Sequence, residues 1–109
     1  MDLCTKGGQY MKVLLCCVAG VTSTLFASKL KDAAARKRVD ATVWSASEHA
    51  VEYSGDLADM IMVEPQLRAS YDKIKAAYPD KPVLLITEDD FKNFNAQKMF
   101  DLAYDAYTK

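Results

Sequence analysis

The stretch Met11-Lys12-Val13-Leu14-Leu15-Cys16-Cys17-Val18-Ala19-Gly20-Val21-Thr22-Ser23-Thr24-Leu25-Phe26 decides the fold. Its first part is a short apolar run, too brief for a helix and suited to a buried strand. Its last part opens a pattern in which Leu25, Phe26, Leu30, Ala33, Ala34 and Ala35 recur at helical spacing. Between them lies a loop of small and hydroxylated residues that starts at Cys17. A strand, a small-residue loop and a helix start form a cradle for an anion, because the first N–H groups of a helix lack internal partners and the dipole favours negative charge there. The same field lowers the pKa of a thiol. Cys17 is therefore the candidate nucleophile, with a depressed thiol pKa and a phosphate-like oxyanion as its cargo.

Further strand and helix patterns alternate outward from this stretch. Strands are expected over 12–17, 41–46, 59–63 and 82–86, and helices over 23–38, 66–77 and 95–107. A short helical turn is expected near 48–53, and 87–94 reads as an acidic loop. Glu64-Pro65 ends the third strand, since proline cannot continue a ladder and suits a helix start. Arg36, Lys37 and Arg38 suit a helix carboxyl end and read as a solvated terminus rather than a binding patch. Alternation of this kind gives an α/β fold with a doubly wound, four-stranded parallel sheet of order 2-1-3-4, helices on both faces, in the manner of flavodoxin and the small phosphatases. Ligands bind such sheets beyond the carboxyl ends of the strands, at the point where strand order reverses. Cys17 lies at that place, with Glu64-Pro65-Gln66 beside it.

Composition narrows the function. The chain has 109 residues, enough for one domain with one modest core. Residues 1–10, interrupted by Gly7-Gly8, read as a flexible extension, and 11–109 as the single domain. A net charge of −1 argues against a nucleic-acid footprint. No apolar run reaches the roughly 20 residues of a membrane span, so no insertion into the membrane is expected. The amino-terminal residues lack the apolar core of a signal peptide, and the cytosol is the expected compartment. Three cysteines, Cys4 and the adjacent Cys16 and Cys17, suit neither a disulfide framework nor a zinc site, and His49 is the only histidine. No metal and no cofactor are expected. Cys16 reads as a small buried strand residue, and His49 as a surface residue of the connection after the second strand.

Three chemistries fit a strand, a phosphate-sized loop and a helix. A cysteine-dependent phosphatase or arsenate reductase needs an arginine six residues after the cysteine to clamp the equatorial oxygens. Ser23 stands there, and no arginine lies between Cys17 and Lys31. A nucleotide-binding loop would carry a Gly-x-x-x-x-Gly-Lys-Ser/Thr or Gly-x-Gly-x-x-Gly pattern, and neither is present. A phosphoryl relay needs only to accept the group, hold it and pass it on, which positioning and electrostatics supply. The relay is the leading reading; a non-catalytic regulatory or interaction module of the same fold is the alternative, and a low-molecular-weight phosphatase a weaker one.

The run Leu15-Cys16-Cys17-Val18-Ala19-Gly20-Val21-Thr22-Ser23-Thr24-Leu25 resembles the phosphorylation loop of enzyme IIB components of the sugar phosphotransferase system, lactose/cellobiose group. A second run, Ala58-Asp59-Met60-Ile61-Met62-Val63-Glu64-Pro65-Gln66-Leu67, is similar to that family's Ala-Asp, hydrophobic strand, Gly/Ala-Pro-Gln segment. Lys81-Pro82-Val83 resembles the start of its fourth strand. The resemblance implies that Cys17 is the phosphorylated cysteine. It implies that Val18, Ala19, Gly20, Val21, Thr22, Ser23 and Thr24 hold the phosphate, and that Pro65 and Gln66 form the facing loop. It also implies a IIA component as phosphohistidine donor and a IIC permease holding a disaccharide or β-glucoside as acceptor. The chain would then be a cytoplasmic phosphotransferase at the inner face of the membrane through IIC. Two residues depart from the pattern. Val18 replaces a small or hydroxylated residue, and Glu64 replaces a small one. A carboxylate would repel a phosphate dianion, so Glu64 is expected to point away or to serve a partner surface.

Overall fold

The computed structural model describes residues 9–17, 21–47, 50 and 55–108; for Gln9, Tyr10, Val21, Thr22 and Thr108 it describes the backbone only. The helical turn expected near 48–53 and His49 fall almost wholly outside the described residues. The chain runs β1 (Gln9–Cys16), α1 (Val21–Arg36), β2 (Val39–Ala46), a 3-10 turn (Gly55–Leu57), β3 (Met60–Val63), a 3-10 segment (Pro65–Ser70), α2 (Tyr71–Ala77), β4 (Val83–Leu85), α3 (Glu88–Lys92) and α4 (Ala96–Thr108).

The sheet is parallel with order β2-β1-β3-β4, the order expected from the sequence. β1 begins at Gln9, earlier than expected, because Gln9 and Tyr10 pair with Val39 and Asp40 at the start of β2. Side chains alternate across the sheet. Met11, Val13, Leu15 and Cys17 join Met60 and Met62 on one face, under Phe26 and Leu30 of α1 and Met99 and Phe100 of α4. Leu14 and Cys16 join Ile61 and Val63 on the other, under Leu67 and Ile74. Both layers are closed by fully or nearly fully buried side chains.

Three expectations change. α1 starts and ends two residues earlier than expected, and Leu25 and Ala35 of its apolar pattern are exposed. The chain reverses at Arg38, which adopts a left-handed conformation with φ 62° while its N–H donates to the Ala35 carbonyl. The helix expected over 66–77 is a 3-10 segment followed by the short α2, with non-helical dihedrals at Leu67. The acidic stretch read as a loop contains α3. Thr87 caps it, its hydroxyl accepting from the Asp90 N–H at 3.1 Å. Its first turn carries Glu88, Asp89 and Asp90, the charge that favours a helix amino end. Asp90 is buried and accepts from Asn95 Nδ2 at 2.9 Å and from Lys98 Nζ at 3.2 Å.

Candidate functional site

The carboxyl ends of β1 and β3 meet at the switch point between them, and three side chains converge there. Cys17 follows β1 directly, its N–H donating to the Ala46 carbonyl at 2.9 Å. This bond continues the β1–β2 ladder by one step and fixes the cysteine backbone. Glu64 follows β3 in the same way, its N–H donating to the Cys16 carbonyl at 3.0 Å. Ser23 lies in the first turn of α1. The period-two alternation that sends Cys16 and Val63 to one face sends Cys17 and Glu64 to the other. The two cysteines, adjacent in sequence, therefore belong to different layers, and neither is in a disulfide.

All three groups are buried. Cys17 is 6% exposed, Ser23 5% and Glu64 0%. Ser23 Oγ donates to Glu64 Oε1 at 3.0 Å. The Cys17 sulfur is in hydrogen-bonding reach of Ser45 on β2 and of Ser23. The expectation that Glu64 points away is overturned: with β3 one step from its end and α1 above, the carboxyl is turned inward and tied to the helix that starts the candidate phosphate loop.

The expected lowering of the thiol pKa is overturned as well. Burial, the largest influence, pushes the Cys17 thiol up, and the negative charge of Glu64 adds to it. Ser45, Ser23 and the Ala46 backbone act in the opposite sense and do not compensate. The helix field is outweighed by the loss of water around the sulfur. Among the described residues, no cation acts on the sulfur. The cluster thus presents a buried protonated thiol, the buried Ser23 hydroxyl and Glu64 carboxyl, and the exposed Ser45 hydroxyl at its edge, all at a helix start. It can offer a nucleophilic sulfur once the proton is removed, and hydroxyl hydrogen bonds to an oxyanion.

The other expected site residues are placed less uniformly. Val18, Ala19 and Gly20 lie outside the described residues. The backbone of Val21 and Thr22 forms the first turn of α1. Thr24 is exposed, unlike Ser23. Pro65 is buried and starts the 3-10 segment, and Gln66 is exposed. Pro65 and Gln66 share a cleft with Glu88, Asp89, Phe91 and Lys92, so α3 borders the facing loop. Sequence reasoning missed Ser45. With β2 beside β1, the hydroxyl paired with Leu15 stands next to the sulfur of Cys17, a register that the strand order alone does not fix.

No group of three or more histidine, cysteine or acidic side chains is poised for a metal among the described residues. No helix among them is long and apolar enough to cross a membrane.

Comparison with known proteins gives a consistent set of relatives. Residues 12–102 match the family model described as PTS system, Lactose/Cellobiose specific IIB subunit. No curated protein matches the sequence. The solution structure of a cellobiose-specific phosphotransferase IIB component from Borrelia burgdorferi is similar, with 25% identity and a TM-score of 0.73 over 91% of this chain and 93% of that one. A lactose-specific IIB component domain of the phosphoenolpyruvate:carbohydrate phosphotransferase system from Streptococcus pneumoniae shares the fold, with 19% identity and a TM-score of 0.76 over 91% of this chain and 99% of that one.

Proposed function

The chain belongs to the lactose/cellobiose-specific IIB family of the sugar phosphotransferase system, and on that premise we propose that Cys17 is its phosphate carrier. The family supports a role in sugar phosphotransfer. In the proposed relay, the Cys17 sulfur accepts a phosphoryl group from a phosphohistidine of a IIA component. It then gives the group to a disaccharide or β-glucoside bound by a IIC permease, which brings the chain to the inner face of the membrane. The S–P bond forms as the N–P bond of the donor breaks, and the reverse exchange at sulfur releases the group to a sugar hydroxyl.

The observation that carries this reading is the position of Cys17. It lies at the switch point of the sheet, one step past β1, with Ser23 of the first turn of α1 on its sulfur. Phosphoryl transfer relies on positioning and charge stabilisation more than on covalent work by the protein. The Val18–Thr24 segment would hold the dianion through N–H groups and hydroxyls, with Ser23 the best-placed hydroxyl, and Pro65 and Gln66 would flank it. The absence of an arginine from Cys17 to Lys31 suits a carrier that keeps its phosphate from water.

The test is reconstitution. The chain is mixed with labelled phosphoenolpyruvate, the general phosphotransferase proteins and a IIA of the lactose/cellobiose group. It is expected to take up one phosphate and to lose it when membranes containing IIC and its sugar are added. Uptake in the absence of IIA, or slow release to water with no transfer to sugar, contradicts the relay.

A further inference from the structure

We propose that the Glu64 carboxylate takes the thiol proton of Cys17 as the sulfur is phosphorylated, and then donates a hydrogen bond to the new phosphoryl group. The proposal rests on the reading of Cys17 as the phosphate carrier.

The placement follows from the ladder. Cys16 pairs with Val63, and the Glu64 N–H donates to the Cys16 carbonyl. Cys17 and Glu64 are thus the next neighbours on adjacent parallel strands, whose spacing is about 4.8 Å. They face the same side of the sheet. Ser23 closes the third side, donating to Glu64 Oε1 and reaching the Cys17 sulfur. Among the described residues, Glu64 and Asp90 are the buried carboxyls. Asp90 is held by Asn95 and Lys98 on another part of the fold. Among the described residues, Glu64 is therefore the buried carboxyl at the reacting sulfur.

Charge then dictates the direction of the proton. A thiolate beside an ionised Glu64 in a buried site is disfavoured by both burial and like charge. The sulfur therefore starts protonated and needs an acceptor as it attacks. If Glu64 stayed ionised afterwards, its charge and the two of the phosphoryl group would crowd one buried site. Proton transfer removes that conflict. The S–P bond forms, the N–P bond of the donor histidine breaks with its electron pair left on the imidazole nitrogen, and the S–H proton moves to a Glu64 oxygen. The resulting carboxylic acid is a donor rather than a repelling charge. A small residue in place of Glu64, the usual pattern of the family, would lack this device.

The experiment is single-turnover phosphorylation of the chain by a phosphorylated IIA component, followed from pH 6 to 9 in wild type, Glu64→Gln and Glu64→Asp. Among the described residues, the titratable and charged groups near Glu64 include Cys17 on β1 and, in the cleft lined by the next residues Pro65 and Gln66, Glu88, Asp89 and Lys92 of α3; Ser23, Ser45 and the strands β3 and β4 contribute none. Glu64→Gln keeps the acceptor for Ser23 but cannot take a proton. It is expected to slow labelling of Cys17 by about 100-fold at pH 7, as loss of a general base does. The gap narrows towards pH 9, where solvent deprotonates the thiol. Glu64→Asp is expected to retain the wild-type pH profile at a reduced rate, and it decides the matter if the glutamine variant does not fold. Equal rates at pH 7, a slowing by one constant factor at every pH, or an altered profile in Glu64→Asp overturns the role of Glu64 alone. A wild-type chain that takes no phosphate on Cys17 overturns the relay reading and this proposal with it.

Discussion

At the amino end of the sheet, the Lys12 N–H donates to Asp59 Oδ2 at 2.8 Å, and the Asp59 N–H donates back to the Lys12 carbonyl at 2.7 Å. Nearby, the Lys81 ammonium donates to the Gly55 and Ala58 carbonyls at 2.8 and 2.7 Å. The Asp59 carboxylate and the Lys81 ammonium there each meet backbone groups of opposite partial charge, and the strands and the connection before β3 are clamped together. At the carboxyl end, a buried carboxyl stands beside a thiol whose ionisation it opposes, and the first turn of α1 brings the Ser23 hydroxyl. The first arrangement stabilises what is present. The second is poised for a group that has yet to arrive. Strongly perturbed titratable groups gather where chemistry is done, and this sheet keeps its unfavourable electrostatics at the end where doubly wound folds bind ligands.

Thiol reactivity sharpens the comparison most. Site-resolved alkylation against pH is expected to give Cys17 a midpoint above about 8.5, the ordinary thiol value. The sign follows from burial and Glu64, both of which keep the proton on sulfur as pH rises. Removing the charge in Glu64→Gln is expected to bring the midpoint down. A wild-type midpoint below the ordinary value would mean that the helix start dominates and that the two ends differ less than described.

Stability separates the neighbouring cysteines. Cys16 is fully buried among Leu14, Ile61 and Val63. Cys16→Ser puts a hydroxyl into that layer and is expected to cost about 2 kcal/mol in denaturant unfolding, while phosphate uptake persists. An unchanged stability would show the layer to be less dry than its burial indicates. The amino-end clamp gives a smaller effect. Asp59→Ala removes the acceptor of the Lys12 N–H, a part-buried bond, and is expected to cost about 1 kcal/mol. Its rate of phosphate uptake should match wild type; a slowed rate would couple the two ends and break the contrast.

The sheet was legible because its strands are short apolar runs separated by turn residues, and because crossover handedness leaves few orders for four parallel strands. Cys17 was legible for a local reason, a strand end followed by small and hydroxylated residues. Glu64 and Ser45 were not, since their meaning depends on which residues share a face across strands that are distant in sequence. The order 2-1-3-4 and the period of two contain that information, but the exact register does not follow from sequence pattern. Repulsion between a carboxylate and a phosphate dianion predicts that Glu64 turns away, and the sequence pattern does not reveal that Ser23 ties it inward. The run Glu88, Asp89 and Asp90 predicts a loop by its charge, although Thr87 followed three residues later by Asp90 is a helix-start pattern, and it forms α3. The direction of the thiol pKa does not follow from the local chain, because burial is a property of the packed fold, whereas the helix field is a property of the local chain.

Mapping the phosphate tests the central claim most directly. After transfer from phosphorylated IIA, the intact chain is examined by phosphorus NMR and peptide mapping in wild type, Cys16→Ser and Cys17→Ser. The account predicts a phosphorus bonded to sulfur, located on Cys17, retained in Cys16→Ser and absent in Cys17→Ser. A phosphate on His49 or on a serine or threonine, or one that survives in Cys17→Ser, would contradict it.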